Sequence, residues 1–191
     1  DMGADIIKIE PPAGDPMRDL GPARNPGMAA YFLSVNRNKR SVVLDLKTAS
    51  GRAAFLALVA GADVFIHNMR PGAAERLGID YGSLAKVNPR LVYVFASGYR
   101  KDGPWRDRPA YDDVIQGQSG IASLIGRANG EPRYLPMAMA DKLCGVVTAS
   151  MTAMALVSRA TTGRGQEVHV PMLETMLAFN LADHLYHGVF D

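Results

Sequence analysis

One carboxylate in the sequence stands where a carboxylate could act as a nucleophile. Asp141 comes directly before residues 142–158, the most apolar helical stretch of the chain. Aspartate is among the best residues for capping a helix N-terminus, and spacing alone favours that structural role. The same helix end also stabilises an anion, however, and a carboxylate kept ionised there could attack a carbonyl carbon. The two roles are compatible, so Asp141 is the first candidate for covalent chemistry.

A phosphorylated ligand would have to be held by basic side chains, because the sequence contains none of the usual glycine-rich phosphate loops. Neither G-x-G-x-x-G after a strand nor a P-loop occurs, and the Gly-Arg-Gly at 163–165 follows a helix. Spacing alone favours ordinary solvated charges for most lysines and arginines. The basic residues at predicted strand ends and in the following loops are Arg37, Lys39, Arg40, Lys47, Arg70 and Arg76.

The candidates for thiol and metal chemistry have plainer explanations. Cys144 has apolar neighbours, which favour a small buried hydrophobe over a nucleophile. His184 and His187 are spaced for one helix face, but no third ligand at a telling spacing supports a metal site. His67 at a strand end has no marked partner and is interpreted as structural. We therefore expect no metal.

The composition is that of an average soluble protein. The 191 residues are 48% hydrophobic and 21% charged, and the net charge of +2 is too small to favour nucleic acid or a membrane surface as a partner. The longest apolar stretch, residues 146–157, is interrupted by hydroxyl side chains and is too short to span a bilayer. A single cysteine excludes an internal disulfide and fits a reducing cytoplasm. We expect a cytoplasmic protein without a membrane or nucleic-acid partner.

Strands and helices alternate regularly around these candidates. The sequence predicts strands over residues 4–10, 41–46, 63–67, 91–96 and 166–170. It predicts helices over residues 28–35, 51–60, 81–87, 112–124, 142–158 and 171–187. The strands are apolar enough to be covered on both faces, as in a parallel sheet. The pattern predicts a doubly wound α/β fold with a mostly parallel, Rossmann-like sheet.

The pattern of the first residues is typical of a connection between a helix and a strand. Residues 1–5 resemble the end of a helix with Gly3 as its stop, and a strand follows directly. We therefore expect residues 1–191 to form one domain that lacks a first strand and helix.

Five stretches of the sequence match the motifs of one known protein family. They are GADIIKIEPPAGDPMR at 3–18, NRNKRSVVLDLKTASGR at 36–52, ADVFIHNMRPGAAERLGIDY at 62–81, NPRLVYVFASGY at 88–99 and TTGRGQEVHVPMLE at 161–174. They occur in the family's order and together span nearly the whole chain. The chain thus resembles the class III CoA-transferases, also called the CaiB/BaiF family, which includes formyl-CoA transferase.

The resemblance implies a chemistry for Asp141, because the family's catalytic aspartate precedes the apolar helix that leads into T-G-x-G-Q. This carboxylate would attack an acyl-CoA thioester to give an aspartyl anhydride. CoA would then form an aspartyl-CoA thioester, which a small carboxylic acid attacks in turn. The resemblance also implies an interlinked homodimer and a later small domain, so the large domain is expected to be incomplete at both ends.

The family's contacts to coenzyme A can be carried onto six positions of this sequence. By resemblance, Lys47 and Arg76 would bind the phosphates as charge-assisted partners. Two further contact positions depart, because Pro11 and Pro109 stand where other members have arginine and lysine, so phosphate and pantetheine contacts must differ in detail. The six matching positions are Leu44, Lys47, Asn68, Met69, Arg76 and Met172.

Two alternatives to CoA transfer remain open. The α-methylacyl-CoA racemases also resemble the chain, but they have a histidine acid/base where this sequence has Tyr111. Racemisation needs two acid/base groups flanking the α-carbon, and Tyr111 followed by Asp112 is similar to the transferase branch. The other alternative is a fragment that folds and binds CoA but catalyses nothing.

Overall fold

The computed structural model describes residues 2–186, which form two compact units. One unit runs to Leu58, and the other begins at Val59. The expectation of a single domain over residues 1–191 remains a prediction.

The first unit is built on a pair of parallel strands. Strand β1 (Ile6–Glu10) pairs with β2 (Lys39–Val43) in a register that runs from Ile6 opposite Lys39 to Glu10 opposite Val43. A short 3-10 helix (Pro16–Asp19) and helix α1 (Ala30–Val35) lie between the two strands in sequence. Helix α2 (Ala49–Ala60) follows β2 and continues into the second unit.

A buried ion pair fixes the loop that follows β1. Glu10 is 2% exposed, and its two carboxylate oxygens accept hydrogen bonds from Nε and Nη2 of Arg18 at 2.8 and 2.7 Å. The hydroxyl of Ser41 donates to the same carboxylate, and the guanidinium of Arg18 lies 4.1 Å from the ring centroid of Phe32. The hydrogen bonds from Arg18 and Ser41 lower the pKa of Glu10 to about 2, although burial opposes them. The loop is therefore held by charge and by hydrogen bonds.

The second unit contains a parallel sheet of three strands in the order β3-β4-β5. These are β3 (Val64–His67), β4 (Val92–Ser97) and β5 (Glu167–Pro171), and both pairings are parallel. Six helices accompany the sheet in the described residues of this unit. They are α3 (Ala73–Leu77), α4 (Tyr81–Val87), α5 (Asp112–Gln118), α6 (Ile121–Asn129), α7 (Met139–Thr162) and α8 (Met172–Leu185).

The two faces of this three-stranded sheet differ in chemistry. Val92, Val94, Val168 and Val170 form a buried aliphatic cluster together with Ala155 of α7. Because side chains alternate along a strand, the opposite face carries other residues. Those residues are Phe65, His67, Tyr93, Phe95, Glu167 and His169. The expectation of strands that are apolar on both faces is therefore wrong for this sheet. One face carries aromatic rings, two histidines and the carboxylate of Glu167.

Most predicted elements are confirmed, and the parallel α/β fold class is confirmed with them. All five strands occur within about three residues of their predicted ends. The predicted helix over 112–124 is instead two helices, α5 and α6, which are separated at Gly120. Gly120 has a φ of +81°, and a Cβ there would lie 2.5 Å from Nε2 of His184. The packing of α8 against this turn thus breaks the helix, and the local sequence gives no sign of that contact.

Helix α7 is longer than predicted. Its 24 residues make it long and apolar enough to cross a bilayer by length and composition, contrary to the expectation that no stretch is. Core helices of soluble proteins meet the same criterion, so it is weak support for a membrane span. In this structure α7 packs against β4, β5, α5 and α8, and it also exposes apolar side chains, including Val146, Met154 and Val157.

Candidate functional site

Asp141 lies in the first turn of α7 and does not cap it. The N-cap is Ala138, whose side chain cannot accept a hydrogen bond, and the helix begins at Met139. The expected N-cap role of Asp141 is therefore wrong. The helix simply starts one turn earlier than its apolar pattern indicates. As the third helical residue, Asp141 lies within the positive end of the helix dipole, where an anion is stabilised.

A second acid, Asp112, supplies the missing cap from the start of α5. Its Oδ1 accepts a hydrogen bond from the backbone N–H of Asp141 at 2.9 Å. One of the four free N–H groups of the α7 N-terminus is thereby satisfied by a side chain from another helix. This bond fixes the turn that carries Asp141 relative to α5.

Asp112 is held in turn by the buried side chain of Gln116, one turn further along α5. Gln116 Nε2 donates to Oδ2 of Asp112 and to the carbonyl oxygen of Met137, at 2.5 and 3.1 Å. Its Oε1 accepts from the N–H of Leu135 at 2.9 Å. Because Gln116 is 1% exposed and all these groups are paired, its orientation is fixed. The same amide therefore positions Asp112 and the segment that leads into α7.

The surroundings of Asp141 make its carboxylate more basic. The side chain is open to solvent, yet the atoms packed around it displace part of its hydration, and this raises the pKa of Asp141. The negative charge of Asp112 raises the pKa of Asp141 further. A more basic carboxylate is the stronger nucleophile while it remains ionised, so this arrangement suits attack on a carbonyl carbon.

Cys144, one turn after Asp141, is a buried hydrophobe as predicted. It is 4% exposed, and its Sγ donates a weak hydrogen bond to the carbonyl oxygen of Met172 at 3.9 Å. Burial raises the pKa of Cys144 to about 11, so the thiol is protonated at neutral pH and is a poor nucleophile. The contact also brings Met172, the first residue of α8, next to the beginning of α7.

One further predicted contact residue, Arg76, lines a cleft of the second unit. The cleft has a volume of about 620 Å³ and is lined by His67, Arg70 and Arg76, among others. Asn68 and Met69 stand between His67 and Arg70 in the chain, where the segment leaves β3. Among residues 2–186, Arg70 and Arg76 form no ion pair with a carboxylate. The cleft thus presents two free guanidinium groups at the carboxyl end of a parallel strand.

A glycine allows Arg76 to occupy this cleft. Gly72 has a φ of +74°, and a Cβ built there would lie 3.1 Å from Nη1 of Arg76. A larger side chain would crowd the guanidinium and strain the backbone. The Pro71-Gly72 turn after β3 therefore directs Arg76 as well as opening α3.

The two remaining predicted contact residues belong to the first unit. The N–H of Leu44 donates to the carbonyl oxygen of Glu10 at 3.0 Å, directly after β2. Lys47 is exposed, and its N–H donates to Oδ1 of Asp45 at 3.0 Å, just before α2. Arg40, an alternative phosphate ligand, is paired with Asp5 at 2.6 Å.

Sequence reasoning missed a buried pair in the cleft. Nε2 of His67 lies 2.7 Å from the hydroxyl of Tyr93, and Nδ1 of His67 accepts from the N–H of Met69 at 3.2 Å. Burial lowers the pKa of His67 to about 4, so the imidazole is neutral at neutral pH. His67 and Tyr93 are far apart in sequence and become neighbours only through the pairing of β3 with β4.

The structure also locates the residues of the racemase and metal-site alternatives. Tyr111 is exposed at the N-cap position of α5, next to Asp112. Within residues 2–186, no group of three or more histidine, cysteine or acidic side chains could hold a metal ion. His184 packs against Gly120, and His187 lies outside the described residues.

Comparison with known proteins gives one consistent result. The sequence model of the family described as CoA-transferase family III matches residues 1–190. An acetyl-CoA:oxalate CoA-transferase from Acetobacter aceti is 44% identical over 181 residues, which cover 94% of this chain and 46% of that protein. A succinate–glutarate CoA-transferase from Agrobacterium fabrum is 39% identical over 185 residues, which cover 93% of this chain and 46% of that protein.

Solved structures agree in fold. A CaiB/BaiF family protein from Brucella suis superimposes with a TM-score of 0.92 at 38% identity, over 98% of this chain and 52% of that one. A protein from Mycobacterium tuberculosis gives a TM-score of 0.88 at 32% identity, over 97% and 52% of the two chains. The chain thus spans about half the length of the relatives that it matches.

Proposed function

The chain belongs to CoA-transferase family III, and from this premise we propose that the whole protein transfers CoA from an acyl-CoA thioester to a free carboxylic acid. The observation that carries the proposal is the position of Asp141. Its carboxylate stands in the first turn of α7, on a backbone held by Asp112. One turn further along α7, Cys144 contacts Met172, the first residue of α8. We propose an acyl-CoA and a small carboxylic acid as the substrates.

The proposed reaction is a series of acyl transfers through Asp141. A carboxylate oxygen of Asp141 attacks the thioester carbonyl carbon, and the C–S bond breaks. CoA leaves as a thiolate, and a mixed anhydride remains on Asp141. The thiolate then attacks the Asp141 carbonyl, releases the donor acid as a carboxylate and forms an aspartyl-CoA thioester. The acceptor carboxylate attacks that thioester, the C–S bond breaks again, and a second mixed anhydride forms as the CoA thiolate leaves. The thiolate finally attacks the acceptor acyl carbon of this anhydride, which gives the new acyl-CoA and releases Asp141 as a carboxylate. No net proton is consumed.

The residues around Asp141 support these steps in different ways. The N-terminus of α7 offers partial positive charge to the negative charge that develops beside Asp141. Asp112 fixes the turn and keeps the carboxylate basic. Cys144 stays protonated and does not compete with the CoA thiolate. Each effect acts on the nucleophile, so the proposed chemistry depends on this one carboxylate.

We propose that CoA is held by the six predicted contact residues. Arg76 would bind a phosphate in the cleft, and Asn68 and Met69 would flank the ligand where the chain leaves β3. Met172 would contact it near the first turn of α7. For Leu44 and Lys47 the proposal rests on the resemblance alone. A homodimer and a cytoplasmic location remain expectations.

The test is a substrate screen with the full-length protein. Pairs of acyl-CoA donors and carboxylic acids should give a new acyl-CoA, detected by chromatography and mass spectrometry, for at least one pair. In parallel, a chiral α-methylacyl-CoA should keep its stereochemistry and should not take up deuterium from D2O at its α-carbon. Deuterium uptake without CoA exchange would instead favour the racemase alternative. Binding of CoA without either reaction would favour an inactive CoA-binding protein.

A further inference from the structure

The floor of the cleft is set by the register of β3 and β4. The pairing places Phe65 opposite Tyr93 and His67 opposite Phe95. The rings of His67 and Phe95 stack with centroids 4.8 Å apart. His67, Tyr93 and Phe95 all line the cleft. An aromatic surface with one imidazole and one phenol thus lines the same cleft as Arg70 and Arg76.

The hydrogen bonds of His67 have a defined direction. A backbone N–H can only donate, so the bond from Met69 requires an unprotonated Nδ1 on His67. The neutral imidazole then carries its proton on Nε2, which must donate to the hydroxyl oxygen of Tyr93. Tyr93 is therefore the acceptor in this pair, and its own hydroxyl proton is left for another acceptor.

That proton has no acceptor within the described part of the chain. The only hydrogen bond to the Tyr93 hydroxyl among residues 2–186 is the one from His67. Tyr93 is 3% exposed, and burial raises its pKa, so the hydroxyl keeps its proton. A buried donor without an acceptor costs free energy, which favours a ligand atom that can accept this bond.

The charges of the cleft indicate which kind of acceptor fits. Carboxylates also line it, but most are engaged within the protein: Asp80 caps α4, Glu167 lies 2.8 Å from Lys101, and Asp107 lies 3.1 Å from Arg106. The charged lining side chains without an ion-pair partner among residues 2–186 are Arg70, Arg76, Glu75 and Asp80. The lining carries as many carboxylates as cations, and Glu75, Asp80 and Glu167 place negative charge near Tyr93. The guanidinium groups of Arg70 and Arg76 are the cations still available to an anion with several acceptor oxygens.

We infer that Tyr93 donates its hydroxyl proton to a phosphate oxygen of CoA, with Arg70 and Arg76 balancing the phosphate charge and His67 serving as a positioning residue for Tyr93. This inference rests on the proposed function. The 3′-phosphate and the diphosphate of CoA share the required chemistry. Tyr93 would therefore be a specificity residue for phosphate-bearing thiols, set in the floor of the cleft.

The inference is tested by calorimetric titration of the full-length Tyr93→Phe protein. CoA should bind roughly tenfold more weakly than to wild type, the usual range for a lost hydrogen bond to a charged group. Phosphate-free pantetheine should bind equally to both proteins. If 3′-dephospho-CoA shows the same loss as CoA, the acceptor is the diphosphate; if it shows none, the acceptor is the 3′-phosphate. Unchanged affinity for CoA, or an equal loss for pantetheine, would overturn the inference.

Two controls separate the proposed contact from structural damage. Tyr134→Phe removes the hydroxyl of an exposed tyrosine outside the cleft and should leave CoA affinity unchanged. The thermal midpoint of Tyr93→Phe should also show that the variant folds. Because binding is measured without turnover, a protein that binds CoA but transfers nothing would contradict the proposed function and leave this inference standing.

The role of His67 is tested by a double-mutant cycle. His67→Leu removes the donor to Tyr93 and should weaken CoA binding several-fold, whereas the amide of His67→Gln can still donate and should retain most of the affinity. In the Tyr93→Phe background, His67→Leu should add no further loss, because the two residues act through one hydroxyl. Fully additive losses would show that His67 does not act through Tyr93.

Discussion

The backbone N–H of Asp141 donates to Oδ1 of Asp112 at 2.9 Å, so an acid of α5 holds the helical turn that carries the proposed nucleophile. The same acid raises the pKa of Asp141 by its negative charge. One side chain thus contributes both to the position and to the basicity of another. This pairing gives the first prediction.

Replacing Asp112 by asparagine should move the acid limb of the pH–rate profile to lower pH. The reactive form of Asp141 is ionised, and its pKa is raised first by lost hydration and then by Asp112. Asp112→Asn removes the negative charge of Asp112 and so lowers the pKa of Asp141. The ionised form of Asp141 then persists to lower pH. The measurement is kcat/KM against pH for wild-type and Asp112→Asn full-length proteins.

The matched control is Asp113→Asn, which removes an exposed acid one residue away that does not affect the pKa of Asp141. Its acid limb should coincide with that of wild type. An equal displacement in both variants would mean that the limb reports general surface charge. Asp112→Ala, which also removes the cap, should lower kcat by roughly 100-fold, because small misplacements of a reacting group have effects of that size.

Cys144 should be dispensable for transfer. Burial raises the pKa of its thiol to about 11, and its Sγ donates a weak hydrogen bond to the backbone carbonyl of Met172. Cys144→Ala should therefore retain wild-type kcat, and the native thiol should react with a disulfide reagent at pH 8 only after unfolding. The rate in denaturant provides the reference for a free thiol. A rapid reaction in the native state that abolishes activity would contradict the structural role assigned to Cys144.

Arg76→Ala and Lys47→Ala should each weaken CoA binding by about 1–3 kcal/mol, the range for hydrogen bonds to charged groups. Both side chains are exposed, so the losses should shrink at high salt as the attraction is screened. Calorimetry at low and high ionic strength measures both effects. Lys86→Ala, an exposed lysine in the last turn of α4, is the charge-matched control and should bind CoA normally. If Arg76 and Lys47 behave like Lys86, the phosphates bind elsewhere.

Glu10 should make the stability of the protein sensitive to acid. Its pKa is about 2 in the folded protein and 4.5 without its partners, so its stabilising contribution is present above pH 4.5 and is lost as the pH falls towards 2. Because Arg18 is partly open to solvent, the contribution is about 1–3 kcal/mol. Denaturant unfolding at pH 7 and pH 3 should show a smaller difference for Glu10→Gln than for wild type. Glu131→Gln, at an exposed position, should keep the wild-type difference.

The sequence was sufficient to predict the order of the elements, because local patterns determine them. Apolar runs such as residues 91–96 and turn residues such as Gly61 fall close to the observed ends of strands and helices. The predicted start of α7 is wrong, because the apolar pattern begins after Asp141 whereas the helix begins at Met139. The cap that permits the earlier start comes from Asp112, a residue of another helix.

The site could be predicted only where it depends on residue types along the chain. Asp141 and the basic residues after strand ends are visible in the sequence, and so is the buried character of Cys144. The pairing of His67 with Tyr93 could not be predicted, because it requires the register of β3 against β4. The face of the three-stranded sheet that carries aromatic rings and histidines could not be predicted for the same reason. The rings of His67 and His169 stack on Phe95 only because the three residues lie on neighbouring strands.

The most direct test of the account is to trap the acyl group on Asp141. Full-length protein is mixed with an acyl-CoA that it turns over, hydroxylamine is added during turnover, and the peptides are analysed by mass spectrometry. An aspartyl anhydride or thioester at Asp141 predicts a hydroxamate on that residue alone, and Asp141→Asn should show neither hydroxamate nor transfer. A wild-type protein that turns over without modification of Asp141, or an Asp141→Asn variant with normal transfer, would contradict the mechanism.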